Sequence, residues 1–455
     1  MKKLCSILAA FILSAALFIF PTPVEAAYPV DFECNSQALL LVNLDTGTIV
    51  FEQNPDQPME PASVTKIMVA ILLLENISDL ENTQITADPA ALDTLYGTNS
   101  SLSGIKRGEI LTAEQLLHSL LIPSGNDAAV VIANYLGNGS LSAFVDMMNQ
   151  KAREIGCTNT HFANPHGLHD PEHYTTARDI YIMTEYAMEH YPKFMEVCEK
   201  TRYTIPPTNL SEKSRVLATT NLMTDSVNGG SYYYRYVKGV KTGSTEEAGY
   251  CLVSTAFHTQ KNYRYLCVAL GAPYRDAEGK KAKNGAMIDT KNLYEWAFNE
   301  LELKTLVDTL TPRKEIKLEQ SWNKDSLLLV AKEDFATLVP KTVTPGSVLI
   351  VPNDDLPESV KAPVEKGQVL GTAKVMYANM ELGTIDLVAS ETVSESQLLK
   401  YLAIAKDIVQ KPWVKVLAVV LVLLIFFYFI VTLLYNRKMK KREKLRKNKN
   451  RYRRF

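Results

Sequence analysis

The chain has 455 residues, 46% of them hydrophobic and 22% charged, with a formal net charge of -1. That length is too great for one small core, so at least two domains are expected. The balanced total hides an asymmetry: residues 27–436 carry 35 Lys/Arg against 48 Asp/Glu, whereas residues 437–455 carry 12 Lys/Arg and one acid, Glu443. An acidic main body excludes nucleic acid as its expected partner.

The chain opens with Lys2 and Lys3, an apolar run from Leu4 to Phe20, and Pro21-Thr-Pro-Val-Glu-Ala26. This is the three-part pattern of a secretory signal over residues 1–26, with Val24 and Ala26 as the small residues before a cut. From Tyr28 to about Phe298, strand-like and helix-like segments alternate. Ala38–Asn43 and Thr48–Gln53 read as strands joined by the turn Asp45-Thr-Gly47. Pro61 opens an apolar helix running to about Glu75, with Ser63 in its first turn. Thr112 and Gln115 form a capping box for a helix that stops at Pro123, and Asp127–Leu136 is another helix. Gly249–Phe257 and Tyr263–Ala269 form a hairpin. Of six cysteines, Cys5 falls in the signal. The remaining five are an odd number without metal-like spacing. Cys251 and Cys267 could face each other across the hairpin; buried free thiols are the reading taken here, with a disulfide as the alternative.

After Thr311-Pro312 the character changes. Short β-like runs follow at Glu315–Leu318, Leu327–Ala331, Ser347–Val351, Gln368–Tyr377 and Thr384–Ala389, punctuated by Pro and Gly as in a small β-sandwich. Ser394–Gln410 reads as a juxtamembrane helix. Val416–Tyr435 is 20 residues without a charge, long enough to span a bilayer. The basic tail then stays on the cytoplasmic side, touching anionic lipid, and places the rest of the chain outside.

Three strings carry chemistry. Ser63-Val-Thr-Lys66 puts a serine and a lysine three residues apart on one helix face. The apolar run after Lys66 disfavours its charged form, and a neutral amine can take a serine proton. Ser124-Gly-Asn126 lies in a break between two helices. Ser124 can relay a proton, and Asn126 can hold a substrate carbonyl. Lys241-Thr-Gly243 leads into a β-like run whose edge can pair with an extended peptide. Lys241 and Thr242 suit a carboxylate, and Gly243 permits close backbone approach. The N–H groups of Ser63 and Ser244 can form an oxyanion hole. Ser-x-x-Lys occurs three times, also at Ser103 and Ser321, but only the Ser63 copy opens an apolar helix. The other two copies read as a capping Ser with a surface Lys: Ser103 adjoins Gly104 in a turn, and Ser321 lies in the β-rich part beyond the other strings. A rival grouping is His166, His169 and His173 with Asp170 and Glu172. Its Pro- and Gly-rich loop does not place the histidines on one face, so no metal is expected.

Together these strings resemble the low-molecular-mass penicillin-binding proteins that are serine D-alanyl-D-alanine carboxypeptidases. Further runs follow that family's pattern in order, among them Thr158-Asn-Thr-His-Phe162, Asn164-Pro-His-Gly-Leu168, Thr176-Ala-Arg-Asp179, Thr220-Asn-Leu222 and Ala248-Gly-Tyr250. The resemblance implies an α/β (α+β) serine β-lactamase/transpeptidase-like catalytic domain at 27–305, a small all-β sandwich at 306–392, a juxtamembrane helix or linker at 393–415, a transmembrane helix at 416–436 and a cytoplasmic tail at 437–455. It implies that Ser63 attacks between two D-alanines of a peptidoglycan stem pentapeptide, with Lys66 as base and Ser124 as relay. Asn126, Lys241, Thr242, Gly243, Ser244 and His166 would contact substrate. β-Lactams would acylate the same serine, and no cofactor is expected. The location implied is a bacterial cell membrane, single-pass, with the catalytic body extracytoplasmic. The deacylating Glu-x-x-Leu-Asn string of class A β-lactamases does not occur between residues 127 and 240, so little β-lactamase activity is expected. Cross-link endopeptidase activity would use the same residues. A wall-binding scaffold that binds penicillin with little catalysis is the alternative outside enzymes.

Overall fold

The computed structural model describes Tyr28 and residues 30–451. The expected signal at residues 1–26 lies outside the described residues, as do the last four residues of the basic tail. The chain divides into two units, Met1–Lys304 with Thr337–Val343, and Thr305–Ala336 with Thr344–Phe455.

The first unit is built on a five-stranded antiparallel sheet. Its strands are β1 (Ala38–Asn43), β2 (Ile49–Gln53), β3 (Lys241–Thr245), β4 (Gly249–His258) and β5 (Tyr263–Ala272), in the order β2-β1-β5-β4-β3. β1 is buried at every position and β4 and β5 nearly so. Such continuous burial means that both faces of the sheet are covered. Five helices bear on the argument: α1 (Lys66–Asn76), α2 (Ala113–Leu121), α3 (Asn126–Leu136), α4 (Leu141–Glu154) and α5 (Ala177–His190). A sixth, α6 (Gly285–Glu300), packs on β4 and β5. α1 is buried from Lys66 through Leu73 and packs against α2, α3, α4 and α5. A helix that is apolar all round belongs at the centre of a core. The capping box of α2 is formed: Thr112 N–H donates to Gln115 Oε1 at 2.9 Å, and Gln115 N–H donates to Thr112 Oγ1 at 3.2 Å.

Two readings need correction. The helix expected from Pro61 begins as a 3-10 turn over Ala62–Thr65, and α1 starts at Lys66. Ala62 sits at φ 46°, a left-handed conformation that a helix cannot pass through. Lys241-Thr-Gly243, read as leading into a strand, is itself the edge strand β3, with Gly243 opposite Cys251. All five described cysteines are free thiols. Cys267 pairs across strands with Ser254 and Leu41, so it does not face Cys251.

The second unit holds β6 (Lys314–Glu319), β7 (Ser326–Ala331), β8 (Leu349–Pro352), β9 (Ser359–Lys361), β10 (Val369–Tyr377) and β11 (Met380–Ala389). They form one sheet in the order β8-β10-β11-β7-β6-β9, antiparallel except where β6 meets β9. β9, only three residues long, falls below what alternation can reveal in a sequence. Two helices follow, α7 (Gln397–Gln410) and α8 (Pro412–Arg451). Among the described residues, the stretch Pro412–Leu445 is the one single helix long and apolar enough to cross a membrane.

Candidate active site

The 3-10 turn before α1 presents Ser63, half-buried, one residue after the left-handed Ala62. Lys66, at the start of α1, is fully buried at 0% exposure. Its Nζ lies 2.8 Å from Ser63 Oγ, 2.6 Å from Asn126 Oδ1 and 2.7 Å from the His166 carbonyl oxygen. Burial, then the charge of nearby Lys241, holds the Lys66 amine well below the usual lysine range. A neutral amine has two N–H groups and one lone pair. Asn126 Oδ1 and the His166 carbonyl are fixed acceptors that take the two N–H groups. The lone pair then faces the Ser63 hydroxyl, which is the arrangement a general base needs.

Ser124 precedes α3 at φ 63°, and its Oγ accepts from Lys241 Nζ at 2.7 Å. Gly125 has an ordinary φ of -61°, so its need for glycine is spatial. A Cβ there would stand 2.6 Å from Asp127 Oδ1 and 2.7 Å from the Ser119 carbonyl oxygen. Lys241 is buried, and burial pushes its amine down to about 7. Its Nζ also donates to the Thr242 carbonyl at 2.7 Å. Thr242 Oγ1 meets Thr220 Oγ1 at 2.5 Å. Gly243 lies against the turn that carries Ser63, where a Cβ would stand 2.9 Å from Pro61 O, 3.0 Å from Ser63 N and 3.1 Å from Ala62 Cβ. Ser244 is exposed on the same strand, opposite Tyr250. Ser63, Lys66, Ser124, Asn126, Lys241, Thr242 and Gly243 therefore converge from a turn, a helix, a loop and a sheet edge.

The histidine loop contributes in a way its side chains did not suggest. His166 offers Lys66 its backbone carbonyl, while its Nδ1 accepts from Leu168 N–H at 3.2 Å. Burial, then Lys66, lowers the His166 ring to about 3. His169 pairs with Glu60 at 2.9 Å on the surface. His173 is buried against Thr65. Among the described residues no group of three His, Cys, Asp or Glu is placed to hold a metal.

The spare Ser-x-x-Lys copies lie elsewhere. Ser103 N–H and Oγ both donate to Asp127 Oδ1 at 2.9 Å. Lys324 pairs with Glu391. Asp127 was not singled out in the sequence, yet it follows Asn126 directly and anchors a neighbouring loop. It also accepts from Gly104 N–H at 2.8 Å and Ile105 N–H at 3.0 Å, tying the 101–105 loop to α3. The signal was present in the sequence: an acid in the first turn of a helix, beside the motif.

Comparison with known proteins identifies the family. A family model described as D-alanyl-D-alanine carboxypeptidase matches residues 23–274. The model of the penicillin-binding protein 5 C-terminal domain matches residues 310–395. The D-alanyl-D-alanine carboxypeptidase DacC of Escherichia coli is 28% identical over 395 residues, covering 84% of this chain and 90% of that protein. The D-alanyl-D-alanine carboxypeptidase DacF of Bacillus subtilis is 29% identical over 378 residues, covering 81% and 88%. The crystal structure of penicillin-binding protein 5 from Haemophilus influenzae superposes with a TM-score of 0.58 at 26% identity, covering 81% of this chain and all of that one. That of the D-alanyl-D-alanine carboxypeptidase DacD from Francisella tularensis gives 0.63 at 25%, covering 81% and 96%. With residues 23–274, more than half of the chain, matched by the first model and residues 310–395 by the second, the chain belongs to the D-alanyl-D-alanine carboxypeptidase family of low-molecular-mass penicillin-binding proteins.

Proposed function

We propose that the protein is a serine D-alanyl-D-alanine carboxypeptidase that trims peptidoglycan stem peptides through an acyl-enzyme on Ser63. The observation that carries this reading is the buried Lys66 amine, 2.8 Å from Ser63 Oγ with its other two contacts already fixed. The substrate lies along the free edge of β3, with its terminal carboxylate at Lys241 and Thr242. Asn126 offers its Nδ2 group to the peptide carbonyl. Ser63 Oγ attacks the carbonyl carbon between the two D-alanines while Lys66 takes its proton. The oxyanion is held by the Ser63 and Ser244 N–H groups. The C–N bond breaks, and the proton passes from Lys66 through Ser124 to the leaving amine. Water then attacks the ester, returns the proton to Ser63 and releases the shortened peptide. A β-lactam enters the same path, but its leaving nitrogen stays tethered, so the ester persists.

The long apolar helix α8 is compatible with membrane anchoring. In the full proposal it spans a bacterial cell membrane once. The catalytic unit faces outward, and the basic tail meets anionic lipid on the cytoplasmic side.

The test is labelling of the full chain in detergent with a fluorescent penicillin, together with D-alanine release from a D-Ala-D-Ala peptide. Ser63→Ala abolishes both. Lys66→Ala lowers both by about 10²- to 10⁴-fold, the usual worth of a general base. Labelling that survives Ser63→Ala overturns the assignment.

A further inference from the structure

The nucleophile follows a strained residue. Ala62, buried at 1% exposure, holds φ 46°, which is strained for a residue with a Cβ and persists only where the surroundings enforce it. Those surroundings are specific. The Ala62 carbonyl oxygen accepts from Thr65 Oγ1 at 2.8 Å. Thr65 Oγ1 in turn lies 2.8 Å from His173 Nε2. His173 Nδ1 accepts from Ala163 N–H at 3.0 Å, which leaves Nε2 as the protonated nitrogen and the donor to Thr65. The bonds therefore run one way: Ala163 N–H to the ring, the ring to the Thr65 hydroxyl, and that hydroxyl to the Ala62 carbonyl.

On its other side the same carbonyl meets Gly167, where a Cβ would stand 1.8 Å from Ala62 O. The segment carrying His173 is also strapped to the chain before the nucleophile. Met59 N–H donates to Thr175 O at 2.7 Å, and Thr175 N–H donates to Met59 O at 2.9 Å. The ring packs edge-on against Phe162 with centroids 5.6 Å apart. Burial lowers the His173 ring to about 4, so the neutral, directional form is the one present at neutral pH.

The Ala62 carbonyl and the Ser63 N–H belong to one planar peptide group. Fixing the first fixes the second, together with the direction from which Ser63 Oγ leaves the turn. We infer that His173 is a positioning residue for acylation: through Thr65 and the Ala62 carbonyl it holds the Ser63 amide and hydroxyl in their reactive orientation. It touches no substrate in this role. The inference rests on Ser63 being the nucleophile.

The test compares wild type, Thr65→Val, His173→Phe, His173→Gln and the Thr65→Val/His173→Phe double variant, all as full chain in detergent. The limiting rate of acylation by a fluorescent penicillin, its half-saturating concentration and the final labelling stoichiometry are measured for each. Thr65→Val and His173→Phe should each slow limiting acylation by about 10- to 100-fold, the scale of a misplaced reacting group. Half-saturation should move by less than about threefold, and labelling should still reach one per chain. Because both act through one carbonyl, the double variant should stay within about threefold of the slower single variant. His173→Gln, whose amide can place an N–H where Nε2 stands, should recover to within about fivefold of wild type. Should His173→Phe not accumulate, Thr65→Val decides alone. Wild-type acylation rates in the single variants, losses that multiply in the double variant, or a loss confined to stoichiometry overturn the inference. If wild-type label is found by mass on a residue other than Ser63, both this inference and the reading beneath it fall.

Discussion

At the scale of single residues, the proposed mechanism uses two buried amines that need opposite charge states. Lys66 must be neutral to accept a proton from Ser63. Its amine is held well below the usual lysine range by burial and by Lys241, so the neutral form persists to lower pH than in an ordinary lysine and is lost as pH falls through that lowered value. Lys241 must be charged to pair with a carboxylate. Burial sets it at about 7, so in the free enzyme its charge is present below that pH and fades above it. The expected profile of kcat/KM for a D-Ala-D-Ala peptide is therefore a bell whose basic limb has its midpoint near 7. The basic limb of kcat should lie higher, because a bound carboxylate favours the charged amine. A kcat/KM that stays flat between about pH 6 and about pH 9 would remove Lys241 from carboxylate recognition.

At the scale of elements, the site is assembled by close backbone approach as much as by side chains. Gly167 carries φ 84° and lies against the Ala62 carbonyl, whereas Gly139 carries φ 88° with nothing within 4 Å of where a Cβ would stand. Both alanine substitutions should cost about 1–3 kcal/mol of stability for the left-handed backbone. Only Gly167→Ala should also slow penicillin acylation, because it must displace the nucleophile's turn. Equal acylation rates for the two, measured at a temperature where both are folded, would show that this approach has no catalytic weight.

These approaches mark the limit of what the sequence discloses. Motif reading singled out Ser63, Lys66 and Ser124 for a proton path and Asn126 and Lys241 for holding a peptide and its carboxylate, and the structure brings these side chains within hydrogen-bonding distance of one another. It did not find the His166 carbonyl as an acceptor for Lys66, because a backbone oxygen leaves no mark on residue identity. Nor did it foresee that a helix begun at Pro61 would be interrupted, because nothing in Ala62 itself favours a left-handed φ. That conformation is imposed by Thr65 and Gly167, the second of them far along the chain. Lys241-Thr-Gly243 has the composition of a turn and becomes a strand because β4 supplies its hydrogen-bonding partners. Tertiary pairing decides such short segments.

At the scale of the whole molecule, the catalytic fold was implied by the family resemblance and not by periodicity: strands and helices that alternate before Phe298 point to a parallel sheet, whereas the sheet is antiparallel throughout. In the β-rich part of the chain the runs at Glu315, Leu327, Ser347, Gln368 and Thr384 were found, whereas the three-residue β9 and the longer strands Leu301–Val307 and Phe335–Pro340 were not. The long helix α8 carries the clearest prediction at this scale. Full-length protein should sediment with lipid vesicles, whereas the chain ending at Lys411 should remain in solution and still bind penicillin. Co-sedimentation of the shortened chain in low salt and in high salt alike would place the anchor elsewhere. Loss of its binding in high salt would point to charge alone.

The buried Lys241 amine also makes ligand capture an event that consumes hydrogen ions. At a pH somewhat above 7 the free enzyme holds this amine mostly unprotonated. A bound carboxylate stabilises the protonated form, so association draws close to one proton from the medium. The buffer supplies it, and the buffer's own ionisation heat enters the measured heat of binding. With Ser63→Ala to prevent turnover, titration of a D-Ala-D-Ala peptide at one pH should give different calorimetric heats in phosphate and in Tris, at the same affinity. Identical heats in the two buffers would mean that the peptide's carboxylate is received by a group that does not titrate.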